Sequence, residues 1–146
     1  MAIKVRELHH HAIRVPSDRA AEVQQFYTEV LGLEADSSRP EIPSVPGAWM
    51  YVGGEAGPTA QIHIMGVDGL PPFAKSADQD PTRFHVALAV DDVQAARSEL
   101  DRQGVPYWVM GGVVGPDSVQ IFLNDPAGNL IELHQLGSCR CNRLNL

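Results

Sequence analysis

The amino-acid sequence predicts an α+β protein made of two similar modules in one chain. The phrase HHAIRV at residues 10–15 recurs as HVALAV at residues 85–90, so both copies read H-x-A-[IL]-x-V. Each copy has the alternation of a β-strand and is followed by Asp, by a helix-like apolar pattern and by further strand patterns. A supersecondary unit that occurs twice indicates two modules of the same plan.

The first module is predicted at about residues 7–66, and it begins with a strand and a helix. The strand covers residues 7–15 and is ended by Pro16. A helix is predicted over residues 19–31, because apolar side chains recur there at i, i+3, i+4, i+7 and i+8. Gly32 then ends the helix in the left-handed conformation. The apolar stripe consists of Val23, Phe26, Tyr27, Val30 and Leu31.

Further strands complete the first module, and a linker follows it. Short runs at residues 48–52 and 60–65 predict two strands, and a third is expected near residues 33–35. Residues 67–82 are rich in Pro, Gly and Asp and have no periodicity. They are therefore predicted to join the two modules.

The second module, at about residues 83–136, repeats this plan. Its first strand covers residues 84–90, and Asp91 and Asp92 are candidate N-caps for the helix that follows. Gly104 is the predicted end of that helix. The helical stripe consists of Val93, Ala96 and Leu100, and the later strands are expected near residues 106–110, 119–123 and 130–136.

Composition indicates one globular domain of 146 residues, with 44% hydrophobic and 20% charged side chains. The net charge is −7 and no basic run occurs, so nucleic acid is not expected as a partner. No apolar stretch approaches the length that spans a membrane, and the N-terminus has no signal-peptide pattern. A cytoplasmic protein without a membrane partner is therefore expected.

The two cysteines, Cys139 and Cys141, lie in the C-terminal tail at residues 137–146. Two cysteines so close together exclude a disulfide framework. Metal binding by this pair is an alternative, but a mobile, solvated tail is the favoured interpretation.

The repeat predicts a metal site. Strand alternation places His10, Ala12 and Arg14 on one face, and the second copy gives the same positions to His85 and its neighbours. In the closing strands His63 and Glu132 take related positions, and the glutamate lies within the apolar run LIEL, where an unpaired carboxylate would be costly. Three imidazoles and one carboxylate suit a divalent ion such as Zn, Ni, Co, Fe or Mn. The alternative is a set of separate, half-exposed histidines.

These motifs resemble the vicinal oxygen chelate superfamily, which includes glyoxalase I, extradiol dioxygenases, methylmalonyl-CoA epimerase, and the fosfomycin and bleomycin resistance proteins. The resemblance rests on H-x-A-[IL]-x-V, on FYxxVLGL, and on DPxGNxIEL. It implies two tandem βαβββ modules that form a cup-shaped mixed sheet with a divalent metal at its floor. It implies His10, His85 and Glu132 as ligands. His63 would be either a fourth ligand or a general base, so His63 and Glu132 are the candidate catalytic residues.

Departures from the family patterns reduce the number of reactions expected of this chain. Extradiol dioxygenases and fosfomycin transferases place Tyr where this chain has Phe122, and the transferases also place Thr where it has Ala12. An isomerase, epimerase or lyase acting on a small oxygenated metabolite through a metal-stabilised enolate is therefore predicted. The alternatives are an Fe(II)-dependent extradiol-type dioxygenase and a non-catalytic small-molecule binding or resistance protein.

Other residues have weaker assignments. Arg14 and Phe122 are candidate substrate contacts, Arg14 for an anionic group at the rim, although a solvated charge is equally compatible with its position. His134 is expected beside a ligand or in water, and His9 is expected to point away from His10. Open sheet edges predict a homodimer. Two arrangements are then open: each chain builds a whole site, or two chains share one.

Overall fold

A computed structural model of the chain describes residues 3–54, 57–111 and 119–137. Within these ranges it contains two α-helices and seven strands, which confirms the predicted α+β class. Cys139 and Cys141, together with residues 112–118, lie outside the described residues. In chain order the elements are β1 Val5–Val15, α1 Ala20–Glu29, β2 Gly47–Gly54, β3 Gly57–Gly66, β4 His85–Val90, α2 Val93–Gln103, β5 Trp108–Gly111, β6 Val119–Asn124 and β7 Leu130–Gln135.

The chain divides into two compact units, and the division falls within β1. The first unit is His10–Phe84, and the second unit combines Met1–His9 with His85–Leu146. The boundaries of the two sequence modules stay a prediction. Among the residues that the structure describes, no helix is both long and apolar enough to cross a bilayer.

In the first unit the strands lie in the order β2-β3-β1, with β3 antiparallel to β2 and parallel to β1. The strand expected near residues 33–35 is reduced to a single bridge between Ala35 and Met50. One face of this sheet packs on α1, because β-branched and long apolar side chains alternate along the strands. The packed residues are Ala48, Met50 and Ile64 with Ile13, Val15, Val23, Tyr27, Leu33 and Ile62.

The helix α1 buries less of its apolar stripe than the sequence predicts. Val23 and Tyr27 pack against the sheet, whereas Phe26, Val30 and Leu31 are 52%, 64% and 53% exposed. The stripe is wider than the surface that one three-stranded sheet offers to a short helix, so only one i, i+4 row is covered. The chain leaves α1 as predicted: Gly32 has φ 72°, and the Leu33 amide bonds to the Tyr27 carbonyl at 3.0 Å.

The second unit contains the complete β-α-β-β-β order. Its strands lie as β4-β7-β6-β5, with β4 and β7 parallel and the other pairs antiparallel. Asp92 caps α2 by accepting from the amides of Gln94 and Ala95 at 2.9 and 3.1 Å, and Gly104 ends the helix with φ 69°. The core of this unit consists of Val90, Val93, Ala96, Leu100, Ile121 and Leu133.

Candidate active site

In each unit, the strand register places the alanine of the repeated phrase opposite a predicted site residue. Ala12 on β1 is the Cα partner of His63 on β3, and Ala87 on β4 is the Cα partner of Glu132 on β7. The two alanines occupy the same position of the repeated phrase, two residues after its first histidine. His63 and Glu132 are therefore structurally equivalent positions, as the sequence pattern predicts.

Glu132 is a deeply buried carboxyl group of the second unit. It is 2% exposed, and its Oε1 accepts a hydrogen bond from Gln120 Nε2 at 2.9 Å. His85, itself buried, places Nε2 at 3.8 Å from the same oxygen. Burial raises the pKa of Glu132 to about 8, although the Gln120 hydrogen bond acts in the opposite direction. The carboxyl group consequently favours its protonated form near neutral pH unless a cation compensates its charge.

Aromatic rings flank the His85–Glu132 pair. Phe122 is 1% exposed and is the Cα partner of Glu132 on the neighbouring strand. Its ring lies edge-to-face with His85 at 5.7 Å between centroids and stacks on Trp108 at 4.3 Å. Such contacts restrain the imidazole ring of His85. A substrate contact by Phe122 stays a prediction.

A second pair of imidazoles lies further along the same face of β7. His134 follows Glu132 by two residues and is 6% exposed, and His9 is fully buried. Their rings meet edge-to-face with centroids 4.1 Å apart. The structure thus buries His134 beside another histidine rather than in solvent.

In the first unit, His63 lies in a stack of three rings. Its imidazole is 7% exposed and stacks on His10 at 3.7 Å and 15° and on Trp49 at 4.5 Å and 10°. β3 is the central strand of this sheet, with His10 on β1 to one side and Trp49 on β2 to the other. The structure therefore brings together His10 and His63, two of the predicted site residues.

A buried polar chain extends from His63 to the loop after α1. His63 Nε2 lies 2.8 Å from Gln61 Oε1, and Gln61 Nε2 donates to Asp36 Oδ2 at 2.9 Å. Asp36 Oδ1 accepts from the amide and the hydroxyl of Ser38 at 2.8 and 2.6 Å. Burial raises the pKa of Asp36, but the hydrogen bonds from Ser38, Gln61 and Tyr51 outweigh it, so the pKa is lower than usual.

Arg14 is engaged within the first unit. Its Nη1 donates to Asp80 Oδ2 at 3.0 Å and to Thr82 Oγ1 at 2.9 Å, and Nη2 donates to the Gly69 carbonyl. Asp80 already balances the guanidinium charge, because a carboxylate at this distance compensates one cation. Recognition of an anionic substrate by Arg14 stays a prediction, and it would have to compete with this ion pair.

The sequence patterns did not single out Gln61, Gln120 or Asp36, which take part in these networks. Gln61 precedes His63 by two residues and Gln120 precedes Phe122 by two, so strand alternation places each on the face of a predicted site residue. This alternation is the sequence signal that could have identified both glutamines. Asp36 lies in an aperiodic loop, and nothing in the sequence indicates that it reaches Gln61.

Comparison with known proteins identifies the family. The model of the Glyoxalase/Bleomycin resistance protein/Dioxygenase superfamily matches residues 7–133. No curated protein matches the chain.

Solved structures share the fold. Methylmalonyl-CoA epimerase from Mycobacterium tuberculosis is 27% identical with a TM-score of 0.66, and the alignment covers 92% of this chain and 91% of that one. A Streptomyces coelicolor methylmalonyl-CoA epimerase in complex with 2-nitronate-propionyl-CoA is 18% identical with a TM-score of 0.67, covering 92% and 97%. At 18% identity the likeness shows the fold alone. The family match, which spans most of the sequence, confirms the resemblance: the chain belongs to the Glyoxalase/Bleomycin resistance protein/Dioxygenase superfamily.

Proposed function

We propose that this protein is a metal-dependent isomerase or epimerase that moves a proton at a carbon next to a carbonyl in a small oxygenated metabolite. A lyase that uses the same enolate is the nearest variant of this proposal. The observation that carries it is the buried Glu132 carboxyl beside His85, at the position equivalent to His63 in the other unit. The similarity to the Mycobacterium tuberculosis methylmalonyl-CoA epimerase, at 27% identity over 92% of this chain, supports the choice of reaction.

The donor set fits a divalent cation. Imidazole nitrogen and carboxylate oxygen are common ligands of Zn, Ni, Co, Fe and Mn. A buried carboxyl whose pKa is raised to about 8 gains most from a bound cation, since the cation removes the cost of its buried charge. Glu132 and His85, with His10, are the proposed ligands. When bound, the ion would supply a Lewis acid that stabilises negative charge on a substrate oxygen.

His63 is proposed as the general base rather than as a fourth ligand. An imidazole binds a metal in the plane of its ring, along the lone pair of the nitrogen. His10 and His63 lie in nearly parallel planes, with 3.7 Å between ring centroids, so their lone pairs do not converge on one point between them. With His10 as a ligand, the stacked geometry supports a proton-transfer role for His63.

The proposed chemistry then follows from the residues. His63 accepts the proton from the carbon. The electron pair of that C–H bond forms the C=C bond of an enolate, and the π pair of the carbonyl group moves onto its oxygen. An epimer forms when the enolate turns over in the site before the imidazolium returns the proton, so that the proton reaches the opposite face of the same carbon. Return to the neighbouring carbon, with transfer of the substrate's hydroxyl proton to the other oxygen, gives an isomer.

Phe122 supports this choice over ring-cleaving oxygenation. It carries no hydroxyl and is packed between Trp108 and His85. The position that the family's dioxygenases give to Tyr therefore offers no hydrogen-bond donor in this chain.

We also propose that the protein is a homodimer and that it is located in the cytoplasm.

A deuterium-exchange assay tests the function. Protein loaded in turn with Zn, Ni, Co, Fe(II) or Mn would be incubated in D2O with α-hydroxy ketones, hemithioacetals, acyl-CoA esters and catechols, and followed by NMR and an oxygen electrode. We expect metal-dependent deuterium incorporation without oxygen uptake, lost in Glu132→Ala and kept in Glu99→Ala, a surface control. Catechol cleavage with oxygen uptake would identify a dioxygenase instead. Ligand binding without any turnover would identify a binding protein.

A further inference from the structure

We propose that Asp36 and Gln61 are positioning residues that fix His63 in the tautomer with its proton on Nε2, which leaves Nδ1 as the nitrogen that carries the lone pair. The position of this proton is the same whatever reaction the ring serves. Only its consequence for catalysis rests on the proposed function.

Asp36 sets the direction of the hydrogen-bond chain. It is 5% exposed and accepts two hydrogen bonds from Ser38 on Oδ1 and one from Gln61 on Oδ2. These donors stabilise the ionised form, and an ionised carboxylate is an acceptor only. The group of Gln61 that faces Asp36 must therefore be its NH2.

Gln61 in turn determines which nitrogen of the His63 imidazole carries the proton. Because its NH2 faces Asp36, its carbonyl oxygen faces His63, at 2.8 Å from Nε2. A carbonyl oxygen is an acceptor only, so Nε2 must donate. Gln61 is 1% exposed, which leaves little room for water to replace either bond.

The ring stack and the hydrogen bond to Gln61 together fix the orientation of the imidazole ring. Trp49 and His10 fix the plane of the His63 ring, but a half-turn about the Cβ–Cγ bond would keep that plane and exchange Nε2 with Cε1 and Nδ1 with Cδ2. The hydrogen bond to Gln61 selects one of the two orientations. Plane, orientation and tautomer are thus each set by a different neighbour, as expected for a group whose nitrogen must meet a substrate atom.

NMR spectroscopy tests the tautomer directly. Metal-free protein with ¹⁵N-labelled histidines would be studied by long-range ¹H–¹⁵N correlation, with the His63 signals assigned from their loss in His63→Gln. We expect the Nε2–H pattern in the wild type. Gln61→Met removes the acceptor, and Asp36→Asn lets the amide of Gln61 turn, so both variants should show mixed tautomers. Gln25→Met makes the same chemical change on the surface of α1 and should leave the pattern intact.

Two outcomes would overturn the inference: a wild-type His63 with its proton on Nδ1, or an unchanged Nε2–H pattern in both folded variants. Circular dichroism checks folding, and Asp36→Asn keeps the test open if Gln61→Met does not fold. Once a substrate is in hand, Asp36→Asn should lower kcat by about 10- to 100-fold with little change in KM. The expected tautomer without any turnover would refute the proposed function and leave the positioning role standing.

Discussion

The substitution Glu132→Gln offers a quantitative test of the buried carboxyl. The pKa of Glu132 rises from its ordinary value of 4.5 to about 8 in the folded protein, so the folded state binds a proton that the unfolded state has lost. The stabilisation from the neutral carboxyl is complete below pH 4.5 and is lost as the pH rises through 8. Metal-free protein should therefore become less stable with rising pH, in contrast to a protein that ionises its carboxyls in ion pairs.

The magnitude follows from proton linkage. One proton with these two pKa values removes about 2 to 3 kcal/mol of unfolding free energy between pH 5 and 7, and about 4 kcal/mol between pH 5 and 9. A glutamine side chain has the shape of the neutral acid, and its amide oxygen can still accept from Gln120. The substitution should therefore abolish this part of the pH dependence while costing little at pH 5.

Urea unfolding in the presence of a chelator, at pH 5, 7 and 9, measures the effect. The difference in unfolding free energy between Glu132→Gln and the wild type should increase with pH by the amounts above. Glu99→Gln is the matched control, because hydrogen bonds from Arg102 and Gln103 lower the pKa of Glu99 to about 2, outside this window. A difference that stays constant from pH 5 to 9 would refute the protonated state of Glu132.

Three further predictions follow from the structure. Zinc binding near pH 7 should release a proton from Glu132, seen by calorimetry in buffers of different ionisation enthalpy; equal heats in all of these buffers would contradict this. Asp92→Ala should lower the unfolding free energy by about 1 kcal/mol, because it removes the cap of α2, with Asp18→Ala as a surface control. Sedimentation should show a dimer of about twice the 15.9 kDa chain mass, and a single-chain species at micromolar concentration would count against it.

Sequence periodicity predicted most of the strands because each strand buries one face. The same alternation placed His63 and Glu132 at equivalent points, since the register of parallel strands keeps the repeat in step. The short strand near residues 33–35 and the burial of the α1 stripe were predicted less well. Both depend on how much surface the neighbouring sheet offers, which a local pattern does not contain.

The site was predictable where residues share a strand face and not where a loop returns to the sheet. Gln61 could have been found by alternation, whereas the contact between Asp36 and Gln61 joins residues 25 positions apart through an aperiodic loop. His9 shows another limit. Its full burial next to buried His10 breaks the alternation of buried and exposed residues expected of β1, and single-strand reasoning assumes that one side of the strand faces solvent.

The division of the chain within β1 has a consequence for how the second unit folds. Residues at the start of the chain belong to it: the Asp91 amide bonds to the Lys4 carbonyl at 3.1 Å, and Arg6 pairs with the Asp91 carboxylate. These contacts join segments more than 80 positions apart, so they form only after a long loop has closed. A fragment that starts at Phe84 would lack them. The second unit should therefore complete its fold late, after most of the chain is available. Detachment of residues 3–9 should correspondingly be the first step in the unfolding of this unit.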